Sequence, residues 1–177
     1  MPIANMSFVE ELFSFPSPVN EKAARIVAGV VLATVVLILA TGWYWLLIPL
    51  TYGFWARVLT GPTLSPLGYL AQRKIAPRLG PPKYVAGPPK RFAQGMGAGM
   101  STLALVLALV AGENVAADVV LVAFVVAAGL ESIFAYCLGC KVFGLLMRAG
   151  LISEKVCAEC ADITLRSRSP EPERAGV

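Results

Sequence analysis

The sequence contains no histidine, and only 15% of its 177 residues are charged. Without imidazole there can be no His-based catalytic triad, no His metal cluster and no haem held through imidazole. A soluble domain is about one quarter charged, so the low charge excludes an ordinary soluble enzyme domain, a coiled coil and a disordered chain. Acid is missing altogether from the middle of the chain, where Arg57, Arg73, Lys74, Arg78, Lys83, Lys90 and Arg91 lie. What fills the sequence instead is apolar: 57% of residues are hydrophobic, and the mean hydropathy is +0.71. These residues come in unbroken blocks of bilayer-spanning length, the pattern of an integral membrane protein.

The first block runs from Ala23 to about Ala40 and the second from Trp43 to about Leu59, broken by Thr41-Gly42. Trp43-Tyr44-Trp45 forms an aromatic cluster of the kind found at membrane interfaces. Helices of roughly 18 residues nearly match a hydrocarbon core of about 30 Å, whereas one continuous helix would be about twice too long. A tight hairpin is therefore expected, with a kink at Pro49. The third block runs from about Phe92 to Ala111 and the fourth from Val115 to about Tyr136, around a polar turn at Gly112-Glu113-Asn114. The expected fold is an all-α membrane protein with four transmembrane helices in two helical hairpins, followed by a cytoplasmic cysteine-containing tail.

Charge sets the expected orientation. All the basic residues lie at or before the start of the first block, from Arg57 at the end of the second block to Arg91, or after the fourth block, and both short turns have none. By the positive-inside rule, both termini and the middle segment face the cytoplasm across the plasma membrane. The first block is not read as a cleaved signal peptide, because the stretch before it is long and partly acidic. The organisation is then a cytoplasmic N-terminal segment (1–22), a first hairpin (23–59), a basic Gly/Pro-rich loop (60–91) and a second hairpin (92–136). A four-cysteine segment (137–163) and a disordered tail (164–177) complete it. Ser7-Phe8-Val9-Glu10 is a capping box that opens a short amphipathic helix. Ser65-Pro66 supplies an N-cap and first-turn proline for a short basic helix ending before Pro77. Its Leu67, Leu70 and Ile75 would meet lipid while Arg73, Lys74 and Arg78 meet anionic headgroups.

Chemistry is concentrated in four cysteines, Cys137-Leu-Gly-Cys140 and Cys157-Ala-Glu-Cys160. Sixteen residues separate the pairs, inside the window for a four-thiolate zinc site, since two i, i+3 claws can close a tetrahedron. An iron–sulfur centre uses the same donors and is the less favoured metal reading. The same pairs also suit thiol or persulfide chemistry, in which one thiolate attacks and its neighbour resolves. A cytoplasmic location disfavours a stable disulfide, and a third reading is four inert thiols at a helix end.

Glu131 lies about six residues inside the cytoplasmic end of the fourth block. An ionisable group at that depth faces the bundle interior and has a partner, with Arg25, Arg91 and Gln94 as candidates. It is either a proton-handling carboxylate or half of a structural pair. Six residues turn a helix by about 240° net, which places Glu131 and Cys137 on different faces. Gly95 and Gly99 form a small-xxx-small pair suited to close helix contact, within the bundle or in a homo-oligomer. No line of intramembrane charges or phosphate-cradling loop is present, so a channel, a transporter and a nucleic-acid partner are not expected.

Three stretches together resemble a bacterial membrane family: Gly61-Pro62-Thr63-Leu64-Ser65-Pro66-Leu67, Pro89-Lys90-Arg91-Phe92-Ala93-Gln94, and Cys137-Leu138-Gly139-Cys140-Lys141-Val142-Phe143. The family is domain of unknown function 4395, and the resemblance spans about residues 19 to 147. It implies a four-helix integral membrane protein of a kind common in actinobacteria. It also implies genes near thioredoxin-like and rhodanese-type sulfurtransferase proteins, hence sulfur chemistry with a cytosolic carrier. The family pattern includes Cys137 and Cys140, whereas Cys157 and Cys160 rest on spacing alone. Where that family usually carries an aromatic residue after the second cysteine, this chain has Phe143, without a hydroxyl. Two functions are therefore expected: a thiol- or sulfur-handling membrane component, not an enzyme on its own, or a scaffold whose zinc-bound tail meets a partner.

Overall fold

The computed structural model describes residues 19–61, 63–85 and 87–150. The capping box at Ser7, the pair Cys157/Cys160 and the tail lie outside the described residues. A short strand β1 (Val19–Asn20) leads into helix α1 (Glu21–Thr41). The Asn20 side chain accepts from the Lys22 backbone N–H at 3.0 Å, an N-cap that satisfies one of the free donors of the first turn. Val27, Val31, Val35 and Ile38 recur at helical spacing and are buried, Val35 and Ile38 completely. The helix stops at Gly42, whose left-handed φ of 71° lets the chain turn back.

After a 3-10 turn (Tyr44–Leu46) comes α2 (Leu47–Thr60). Pro49 falls in the first turn of α2. A proline so early in an α-helix falls where backbone N–H groups have no partner within that helix. Helix α3 (Pro66–Leu70) is capped by Ser65, whose hydroxyl accepts from Gly68 N–H at 3.2 Å. The coil continues as a π turn (Ala71–Ile75) and a 3-10 turn (Ala76–Leu79), passing through Pro77 instead of ending before it. Pro77 lies in the opening of that tighter turn, where no donor is needed. Leu70 and Ile75 are exposed as expected, but Leu67 packs against the core. Strand β2 (Tyr84–Val85) pairs antiparallel with β1, and Lys22 Nζ donates to the Leu79 carbonyl at 2.7 Å. The middle segment is thereby fastened across the start of α1.

Helix α4 (Gly87–Leu105) runs on through a π turn (Val106–Val110), then come α5 (Asn114–Phe134) and α6 (Leu138–Arg148). Among the described residues three helices are long and apolar enough to cross a membrane: Glu21–Thr41, Gly87–Val110 and Asn114–Phe134. The second apolar block is shorter. Its α-helix has 14 residues, and with the preceding turn it reaches about 27 Å.

Packing does not follow the hairpins. Helix α1 packs chiefly on α5 and α2 on α4, while α4 also meets α5 and α6. Sequence neighbours are joined by tight turns, yet each helix of the first hairpin finds its main partner in the second. Ring and glycine placement gives a reason. Phe54 of α2 meets Phe124 of α5 edge-on at 5.4 Å, and its ring occupies the space a Cβ at Gly97 would need. Gly95 and Gly99 have nothing within 4 Å of such a Cβ, so the glycine that admits close contact is Gly97.

The helix ends sort into two groups. At one end Tyr44 Oη donates to Asp118 Oδ1 at 2.9 Å, beside the two short turns. At the other end lie the start of α1, the end of α2, the start of α4 and the end of α5, bridged by Arg25, Arg57, Lys90 and Arg91.

Candidate functional site

The site grows out of the end of α5. Arg25 donates to the carbonyls of Ser132 (3.1 Å) and Ile133 (3.0 Å), satisfying acceptors that a helix C-terminus leaves free. Ala135 then takes a left-handed conformation, φ 56°, uncommon for a residue with a Cβ. That turn aims the chain so that Cys137 becomes the N-cap of α6. Its sulfur accepts from the Cys140 backbone N–H at 3.4 Å.

Glycine between the cysteines has a steric cause. A Cβ at Gly139 would stand 2.6 Å from the Cα of Ala93, so the first turn of α6 lies directly on α4. One turn on, Phe143 is buried against Phe92 with ring centroids 5.6 Å apart. Sequence reasoning did not single out Gly139 for this. A glycine in a first helical turn, where it is unfavourable, is the signal that could have found it.

Glu131 has a partner that the sequence did not suggest. Lys90 Nζ sits 2.6 Å from its carboxylate, with side chains 9% and 17% exposed. The three expected partners are used elsewhere. Arg25 caps α5, Arg91 donates to the Val58 carbonyl, and Gln94 accepts from Arg57 Nε at 2.8 Å. The expectation that Glu131 and Cys137 face apart is also overturned, since α5 ends at Phe134 and helical rotation does not continue to position 137. Both residues line one cavity of about 220 Å³, otherwise mostly apolar, with Val27, Phe54, Met100 and Phe124.

Cys137 also borders an open cleft of about 430 Å³, together with Lys90, Tyr136, Cys140 and Lys141. It is thus the back wall of one space and the floor of another. The hydrogen bond with the Cys140 side chain lowers the Cys137 thiol to about 7, against burial and Glu131, which raise it. Lys90 and the Cys140 N–H act in the same lowering direction. Cys140 is pushed up, because its own proton is held in the bond to Cys137 and because it is buried. One thiol is therefore readied as a nucleophile and the other kept protonated. As metal donors, these two sulfurs supply half of a tetrahedral set. No group of three His, Cys, Asp or Glu residues converges among the described residues, and the other two expected ligands, Cys157 and Cys160, are not among them.

Fold and site define a helical membrane protein with a paired thiol just past its last long apolar helix. The profile of the family described as Domain of unknown function (DUF4395) matches residues 19–148, and the chain belongs to that family. Comparison with curated proteins and with solved structures gives no match.

Proposed function

We propose that the protein is a membrane-held dithiol that passes electrons or sulfane sulfur to and from a cytosolic thioredoxin-like or sulfurtransferase carrier. Four helices cross the plasma membrane, and both termini, the basic loop and the cysteine pair face the cytoplasm. The observation that carries the reading is the placement of Cys137: N-cap of α6, hydrogen-bonded to Cys140, and itself buried but lining a cleft with Lys90 and Lys141. The cationic residues gathered at the same bundle end support the orientation.

In the electron-transfer step the Cys137 thiolate attacks one sulfur of a carrier disulfide and expels the other as a thiolate. Cys140, deprotonated in the step, then attacks Cys137 in the mixed disulfide. The products are a Cys137–Cys140 disulfide and a reduced carrier, so two electrons have moved. With a carrier persulfide, Cys137 attacks the outer sulfur, takes it as its own persulfide and releases the carrier thiolate.

The purified protein should show a fast thiol at Cys137 and a slow one at Cys140, and mild oxidation should join the two. Cys140→Ser should trap a mixed disulfide with a thioredoxin-like carrier, and Cys137→Ser should abolish exchange. Fast exchange in Cys137→Ser would remove the reading. Orientation is tested with Lys83→Cys in a cysteine-free background, which an impermeant maleimide should label only after cells are opened.

The C-x2-C-x16-C-x2-C spacing favours a second reading, a structural zinc held by Cys137, Cys140, Cys157 and Cys160 that fixes the tail for a partner. Near-stoichiometric zinc, with all four thiols masked until chelation, would select it over the first. Iron in place of zinc would mark the iron–sulfur version.

A further inference from the structure

Arg57 is a buried cation that the thiol chemistry does not use. It sits near the end of α2, is 6% exposed, and has four of its surroundings defined. The guanidinium lies over the Phe54 ring, 4.4 Å from its centroid. Nε donates to Gln94 Oε1 at 2.8 Å and Nη1 to Ser65 Oγ at 3.3 Å. Gly53 leaves the space that Nη1 occupies, since a Cβ there would come within 3.2 Å of it. Nη2, by contrast, is buried with no hydrogen-bond partner among the described residues.

Both acceptors are neutral, so nothing among them balances the charge. Glu131, at the same end of the bundle, is held by Lys90. A guanidinium taken out of water without a counter-charge is strongly unfavourable, and buried charges are found paired. The space beside it is small. Arg57, Lys90, Gln94, Gln72, Gly61 and Gly68 are among the residues around a cavity of about 60 Å³. Its wall carries two cations and no carboxylate, Lys90 being paired with Glu131 outside it, and amide side chains able to donate. That is room and charge for one small monoanion, and too little room for a polyol carboxylate or a phosphate ester.

We infer that the Arg57 guanidinium is the seat of a binding site for a small monovalent anion, of halide or hydrosulfide size, in the cavity it shares with Lys90 and Gln94. The two sources share one chemistry: a compact single negative charge accepting from a guanidinium fork. Hydrosulfide has an added interest only if the sulfur-handling reading holds, because it is the anion released when Cys140 resolves a Cys137 persulfide. The site itself does not depend on that reading.

The test uses the full-length protein in detergent, dialysed into sodium gluconate. Sodium chloride, bromide or hydrosulfide is then titrated at constant ionic strength, with reductant throughout. Ligand linkage predicts a saturable rise in Tm of about 5–10 °C at a hundredfold excess over Kd. Arg57→Gln should lose the response and be no less stable than the parent in gluconate, since the uncompensated charge is gone. Arg57→Lys should keep a weaker response. Cys137→Ser should keep it in full, so failure of the thiol chemistry and failure of the anion site are separately visible. Hydrosulfide saturating at lower concentration than chloride would identify the sulfur source, and equal midpoints a general halide site. No saturable response of the parent protein to any of the three salts would overturn the inference, whatever the folding of the variants.

Discussion

The two ends of the helical bundle solve the same problem differently. At the turn end, the helices are closed by left-handed glycines, Gly42 at φ 71° and Gly112 at φ 72°. A side-chain hydrogen bond runs there from Tyr44, in the 3-10 turn before α2, to Asp118 of α5. The opposite end also has positive-φ glycines, Gly61 and Gly80, but there free carbonyls are met as well by long cationic side chains. Lys22 reaches Leu79, Arg25 reaches Ser132 and Ile133, and Arg91 reaches Val58. Cations suit helix C-termini because the last carbonyls and the dipole are negative there. Glycine turns leave an end electrically bland, whereas arginine and lysine capping gathers positive charge where a thiolate or an anion can use it. The chemistry sits where the capping is ionic.

The sharpest way to break this contrast is to neutralise one carboxylate at each end. Glu131→Gln leaves Lys90, 9% exposed, without its counter-charge, and should destabilise the protein by about 3–5 kcal/mol. Asp118→Asn at the turn end keeps an acceptor for Tyr44 and should stay within about 1 kcal/mol. Replacing both members of the buried pair, Lys90→Met with Glu131→Leu, should recover most of the loss. Chemical denaturation in detergent measures all three. Equal losses at positions 118 and 131 would erase the distinction between the ends.

Gly139→Ala comes next. The added methyl would press on the backbone of Ala93, and overpacking of this kind costs about 1–3 kcal/mol. The helix that carries the thiols must then lift from α4, so exchange at Cys137 should slow more than stability alone explains. Gly95→Ala, on the same helix as Ala93 but with open space around it, is the control and should be neutral.

A smaller effect lies in pH. With the Cys137 thiol lowered to about 7, its alkylation rate should be half-maximal near pH 7. It should fall about tenfold for each unit below that. The sign follows from an acid whose charged form is favoured in the folded protein: reactivity is present above the midpoint and lost as pH falls through it. Cys140→Ala removes the leading cause and should move the midpoint upward. Rates for each single thiol, followed by mass spectrometry, decide it.

Much of this arrangement is legible in the chain. Three of the four apolar runs, the Thr41-Gly42 break and the Ser65-Pro66 cap each fix a local outcome through hydrophobic length, backbone freedom or capping, and each appears where expected. The motif Cys137-Leu-Gly-Cys140 also marks its place past the last long apolar helix. What pattern cannot supply is the choice among equivalent partners across helices. Lys90, Arg91 and Gln94 sit on one turn of α4, and only the rotation of that helix against α5 selects Lys90 for Glu131. The same holds for Gly97 over Gly95 and Gly99, because the position of Phe54 on a separate helix decides which glycine is covered. Glu131 and Cys137 were separated by counting helical turns through a residue, Ala135, that leaves the helix.

Ala135 carries the last and smallest test of the contrast. Among the described residues every other positive φ falls on a glycine, at both ends of the bundle, but an alanine at φ 56° stands immediately before the thiols. A left-handed residue with a Cβ is disfavoured by about 1–2 kcal/mol, a strain glycine does not feel. Ala135→Gly should therefore gain up to about 1 kcal/mol, offset in part by the greater freedom of glycine in the unfolded chain. If stability rises while exchange at Cys137 slows, the strained turn is a positioning device that holds the sulfur at the N-terminus of α6. If both are unchanged, the neighbouring bonds from Arg25 to the end of α5 suffice to aim the chain. Ionic capping alone would then distinguish the two ends.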